Sequence, residues 1–116
     1  MSQYNYVKAH RKRWNLTQAE LGVLLGYGNN SVVSRIETGR QRPSLEELIF
    51  LELLFGKAAS RLFPDVYSDM TEKLLKRMSL FEEYLCEASA SHDNMEKLNL
   101  IRKLRNALLA ANSQRL

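Results

Sequence analysis

The chain has little of what would force a cross-linked, turn-rich or membrane-spanning architecture. It has one cysteine, Cys86, so no internal disulfide framework can form and a reducing compartment is expected. Only two prolines and five glycines interrupt 116 residues, which favours helices over a turn-rich β fold. Two histidines and one cysteine, far apart, make no metal site. The most apolar run, Leu48 to Phe55, is broken by Glu52 and is far shorter than the roughly 20 residues of a membrane span. The polar, aromatic start lacks a signal-peptide pattern, so a cytoplasmic location is expected. There is no Gly-rich phosphate cradle, no plausible pair of catalytic carboxylates and no activated nucleophile. Cys86 lies on the apolar helix and is expected to be a packing residue. No catalytic residue and no cofactor is therefore expected.

What is present begins with charge. Residues 1–64 hold nine Lys/Arg against five Asp/Glu, and residues 65–116 hold eight of each. The whole net charge of +4 sits in the first half. Such a basic excess attracts polyanions, although alone it reads equally well as a solvated surface.

The periodicity is helical throughout and predicts an all-α chain. Helices are expected over about 4–14, 18–25, 30–38, 44–55 and 58–63. Asn15, which tolerates a left-handed backbone, marks the end of the first. Gly26, Gly39 and Gly56 mark later ends, and Asn29 is the expected cap of the third helix. Thr17-x-x-Glu20 and Ser44-x-x-Glu47 are capping boxes. Val66, Met70, Leu74, Met78, Phe81 and Leu85 then step by fours and threes along a long helix over about 65–88. After a break, Asp93-x-x-Glu96 suggests the start of a last helix, along which Ile101, Leu104, Leu108 and Ala111 continue the spacing.

Five pieces occur in order: Leu16-Thr17-Gln18-Ala19-Glu20-Leu21, Leu25-Gly26, Val33-Ser34-Arg35-Ile36-Glu37-Thr38-Gly39, Arg42-Pro43-Ser44-Leu45, and Leu48. Over roughly residues 5–63 the chain resembles the helix-turn-helix of the Cro/repressor-type transcription regulators, the XRE family. The resemblance implies a five-helix lambda-repressor-like DNA-binding domain over 1–64. A C-terminal two-helix amphipathic hairpin over 65–116 would follow it. It implies sequence-specific binding of double-stranded DNA by a small bacterial or phage-type regulator, with a recognition helix over about Asn30–Thr38.

The same resemblance suggests roles for residues. Asn30, Ser31, Ser34 and Arg35 fall where the family reads bases. Asparagine suits adenine and arginine suits guanine, with a phosphate contact or an internal salt bridge as the alternative for Arg35. Gln18 matches a phosphate-binding glutamine, and Arg40 and Arg42 match basic residues that contact phosphates. Lys12 and Arg13 either add to this patch or form a wet face. Arg11 and Glu37 look like the family's internal ion pair. Leu21, Leu25, Val33 and Ile36 face inward, and Gly22 stands where the family keeps a small residue.

The sequence departs from the pattern in three places. The turn Gly26-Tyr27-Gly28-Asn29-Asn30 is one residue longer than usual, and Gly28 in a positive-φ conformation is expected to absorb it. His10 replaces a leucine and is expected to be buried and hydrogen-bonded. Val23, Phe50 and Leu53 are apolar where the family is polar.

A single recognition helix makes few contacts, so the hairpin is expected to form a homodimer. Val66, Met70, Leu74, Met78, Phe81, Leu85, Ile101, Leu104 and Leu108 would be its apolar residues. A hairpin folded only onto its own chain is the alternative. A second function class is an antitoxin-like or restriction-control protein whose terminal helices hold a protein partner.

Overall fold

In the computed structural model, residues 4–114 are described. Seven helices follow in order: α1 (Val7–Arg13), α2 (Gln18–Leu24), α3 (Ser31–Glu37), α4 (Leu45–Phe55), α5 (Ala59–Leu62), α6 (Pro64–Glu87) and α7 (His92–Gln114). No strand occurs among the described residues, and the chain is all-α. No helix among them is long and apolar enough to cross a membrane. Two compact units divide between Tyr67 and Ser68, inside α6.

Local chemistry explains the helix boundaries of the first unit. α1 begins at Val7 rather than near Tyr4 because Asn5 intervenes. Its Oδ1 accepts from the Val7 N–H at 3.1 Å, and its amide donates to the Ile36 carbonyl at 2.8 Å. That side chain is buried and holds the approach to α1 out of helical register. Thr17 and Ser44 close both expected capping boxes. Each satisfies two backbone N–H groups that a helix start leaves without partners.

The first three helices end in the same motif, with a left-handed residue following the C-cap. Asn15 (φ 57°), Gly26 (φ 97°) and Gly39 (φ 77°) take that place. In each case the next N–H reaches back to a carbonyl in the last turn of the helix: Leu16 to Arg11 at 3.1 Å, Tyr27 to Gly22 at 2.8 Å, Arg40 to Arg35 at 2.9 Å. Gly56 (φ 65°) ends α4. Glu52 acts structurally. Its carboxylate accepts from the Ala59 N–H at 2.7 Å at the start of α5.

The core of this unit gathers Val7, Leu21, Leu25, Val33, Ile36, Leu51, Phe55, Leu62 and Phe63, with Val32, Leu48, Leu54 and Val66 packed against it. Truncating a fully buried leucine such as Leu21 to alanine costs about 2–5 kcal/mol in such cores. His10 departs from the expectation of a buried, hydrogen-bonded group. It is half-buried, and its ring stacks on Phe55 with centroids 5.5 Å apart. Partial burial, then Arg13 and Lys57, lower its pKa.

The second unit is a helical hairpin. Met78, Leu85 and Leu98 are its buried apolar residues. Ser91, two residues before the expected Asp93, marks the start of α7 by accepting from the Asn94 N–H at 3.1 Å. Glu82 on α6 binds Arg102 at 2.8 Å and Arg105 on α7. The inward stripe of α7 is therefore Leu98, Ile101, Arg105 and Leu108, whereas Leu104 faces out at 45% exposure.

Candidate nucleic-acid interface

Seven residues of α3 supply two faces. Val33 and Ile36 point into the core, and Val32 packs against it. Ser31 and Arg35, one helical turn apart, are exposed, as is Thr38 after the last turn; Ser34 is half-buried beside them. The polar stripe expected to read bases therefore faces outward from the first unit. Its start differs from expectation. Asn30, not Asn29, is the N-cap, and α3 begins at Ser31. Asn30 thus stands just before the helix. Asn29 still contributes, because its Oδ1 accepts from the Ser31 N–H at 2.9 Å.

The long turn is accommodated differently from expectation as well. Gly28 does not have a positive φ; Gly26 does. Reversal occurs at the end of α2, and the extra residue is taken up in the Asn29 turn. Tyr27 then ties this turn to α4, its hydroxyl donating to the Glu47 carboxylate. Burial pushes the Glu47 carboxyl up, but the hydrogen bonds from Tyr27 and Ser44 outweigh burial and hold it below the usual range. Its grip raises the Tyr27 phenol in turn. Gly22 is required by the same turn: a Cβ there would lie 2.4 Å from the Asn29 carbonyl oxygen. The close approach is to the turn backbone rather than to the body of α3.

A continuous polar chain sets the pose of α3. Arg11 donates to Glu37 through Nε at 2.6 Å and Nη2 at 3.1 Å, and through Nη1 to the Leu16 carbonyl at 2.8 Å. The two side chains are 9% and 2% exposed. Gln18 donates to Glu37 Oε1 at 3.0 Å and accepts from the Asn30 amide at 3.2 Å. α1, α2 and both ends of α3 are thereby joined by directed bonds, which fix orientation more sharply than apolar contact alone.

Basic residues flank these elements along the chain. Lys12 and Arg13 are exposed on the same last turn of α1 that carries Arg11. Arg40 and Arg42 are exposed in the segment after α3. Arg35 donates through Nε to Gln41 Oε1 at 2.7 Å. No local pattern in the sequence marks Gln41 or Tyr27 for these contacts, because their partners are reached only after the chain reverses at a glycine.

The hairpin residues separate into two groups. Met78 and Leu85 are buried, and Ile101 and Leu108 are half-buried. Met70, Leu74, Phe81 and Leu104 are exposed at 37%, 48%, 37% and 45%. Val66 packs against the core of the first unit. Among the described residues no cluster of three or more His, Cys, Asp or Glu could hold a metal ion.

Residues 5–51 match a family model described as a helix-turn-helix domain, the stretch carrying α1, α2, α3 and the first seven residues of α4. No curated protein and no solved structure matches the chain.

Proposed function

We propose that this chain is a small transcriptional regulator of the Cro/repressor type that binds duplex DNA, with α3 in the major groove. The observation that carries the reading is the outward polar stripe of α3, held in place by the Arg11–Glu37–Gln18–Asn30 chain within a basic, helix-turn-helix segment. Arg35, Ser31, Ser34 and Asn30 read base edges. Gln18, Arg40, Arg42, Lys12 and Arg13 meet phosphates, which set register without carrying sequence information. The Gln18 amide nitrogen uses one hydrogen on Glu37 and keeps the other for a phosphate.

The hairpin makes the chain a homodimer in this reading. Among the described residues, two helices of 24 and 23 residues bury the apolar side chains Met78, Leu85 and Leu98, while Met70, Leu74, Phe81 and Leu104 stay exposed. A two-fold partner would cover those exposed apolar side chains and double the contacts to paired half-sites roughly 34 Å apart. The same exposed side chains support a second reading, an antitoxin-like or restriction-control protein whose hairpin holds a different chain.

Selection of bound fragments from random duplex DNA, followed by titration against salt, tests the proposal. A recurring two-fold sequence is expected. If six to eight phosphates are contacted, the log–log salt slope is roughly −5 to −7. Arg35→Ala is expected to relax sequence preference, and Arg42→Ala to weaken all sequences alike. Binding with no sequence preference, or equal losses on selected and random DNA for both variants, would refute it.

A further inference from the structure

Arg35 and Gln41 are joined twice. The Gln41 N–H donates to the Arg35 carbonyl at 3.2 Å, alongside the Arg40 N–H at 2.9 Å. The Gln41 side-chain oxygen accepts from Arg35 Nε at 2.7 Å. The left-handed backbone at Gly39 makes this possible, because it turns the chain back over the end of α3. Gln41 is thus located by its main chain on the same residue whose guanidinium it holds. Its half-buried side chain does not need to search for Arg35, which removes part of the entropy that an exposed pair ordinarily loses.

The chemistry of the guanidinium gives the bond a consequence. Arginine can meet a pair of acceptors through its Nε–Nη edge or through its Nη1–Nη2 edge. Gln41 occupies the Nε–H, so the Nη1–Nη2 fork is the edge that remains for a base pair. That fork matches the paired acceptors N7 and O6 of guanine.

We propose that Gln41 is a positioning residue that fixes which edge of Arg35 faces the duplex and thereby sets a guanine preference at one operator position. The proposal rests on the reading of α3 as the DNA-contacting helix. Gln41 supplies no base contact of its own; it decides the pose of the residue that does.

The test uses the full chain and the duplex selected from random DNA, with each guanine replaced in turn and binding measured at fixed salt. The position read by Arg35 is the one whose preference Arg35→Ala abolishes. Wild-type discrimination there is expected to lie between about 5- and 150-fold, the equivalent of about 1–3 kcal/mol. Gln41→Ala is expected to lose most of that ratio at this position alone, with binding to random duplex and the melting temperature unchanged. Gln41→Glu keeps an acceptor for Nε, so the ratio is retained while the added charge weakens all duplexes in a salt-dependent way. In an Arg35→Ala background, Gln41→Ala has no further effect on the ratio. Full retention of the ratio by Gln41→Ala, uniform weakening at every position, or an equal effect in the Arg35→Ala background overturns the role of Gln41 alone. A wild-type chain without preference for any duplex overturns the underlying reading of α3 and this proposal with it.

Discussion

Arg11 and Glu37, 26 positions apart, close a two-point ion pair that ties α1 to the end of α3 with both side chains almost wholly out of water. Charges so placed need each other more than the fold needs either. Arg11→Met would leave Glu37 with Gln18 as its remaining side-chain donor, at a cost of about 3–5 kcal/mol. The paired change Arg11→Met, Glu37→Leu would recover most of the loss, since no buried charge is stranded. Urea denaturation of both variants measures this, and a single-variant loss under about 1 kcal/mol would contradict it.

Three glycines of the helix-turn-helix should respond differently to alanine. Gly22→Ala forces a Cβ against the Asn29 carbonyl and is expected to destabilise by about 1–3 kcal/mol. Gly26→Ala strains a residue with φ 97°, also by about 1–3 kcal/mol. Gly28→Ala meets open space in an ordinary conformation and is expected to stabilise by about 0.4–1 kcal/mol through the unfolded chain. Melting temperatures of the three variants give the order directly; a loss at Gly28 matching that at Gly26 would reassign the bend.

Two of the depressed groups, His10 and Glu47, give stability a dependence on pH. His10 is pushed below its ordinary value of about 6.5, so the unfolded chain takes up its proton first as pH falls. Its contribution is fully present above that value and declines as pH drops toward the folded pKa. Glu47 behaves likewise in the carboxylate range, because its folded form is held ionised by Tyr27 and Ser44. Stability is therefore expected to fall in two stages on acidification. His10→Leu should remove the first stage, and Tyr27→Phe should reduce the second. Chemical denaturation at a series of pH values from about 8 to about 3, a window running from above the ordinary histidine value to below the ordinary glutamate value, checks both. An unchanged first stage in His10→Leu would show that another group is responsible.

Self-association is predicted to depend on the exposed apolar side chains of the hairpin. Leu74→Glu with Phe81→Glu changes two exposed side chains and should leave the isolated fold nearly as stable as before. Sedimentation at micromolar concentration should show twice the 13.4 kDa chain mass for the wild type and the single mass for the variant. A wild-type species of 13.4 kDa at all concentrations would remove the dimer.

Much of the architecture could be read residue by residue. Thr17, Ser44 and Asn15 act within a few residues of themselves: a hydroxyl reaches a backbone N–H three positions on, and a short amide tolerates a left-handed bend. Helix identity, most boundaries and the inward set Leu21, Leu25, Val33 and Ile36 depend on such short-range rules and on the 3.6-residue period. The amino-acid sequence alone determined these.

Tertiary structure decided what depends on a partner far along the chain. Asn5 shortens α1 because Ile36 accepts its amide, and Leu104 yields the inner face of α7 to Arg105 because Glu82 waits opposite. Gly26 rather than Gly28 turns the chain, and the N-cap position of α3 falls on Asn30 rather than Asn29, in a turn whose Asn29 carbonyl Gly22 admits at close range. Gln41 meets Arg35 only after Gly39 reverses the backbone. Periodicity records which side of a helix is apolar; it holds no record of which distant group completes a hydrogen bond, because that pairing exists only once the helices have packed.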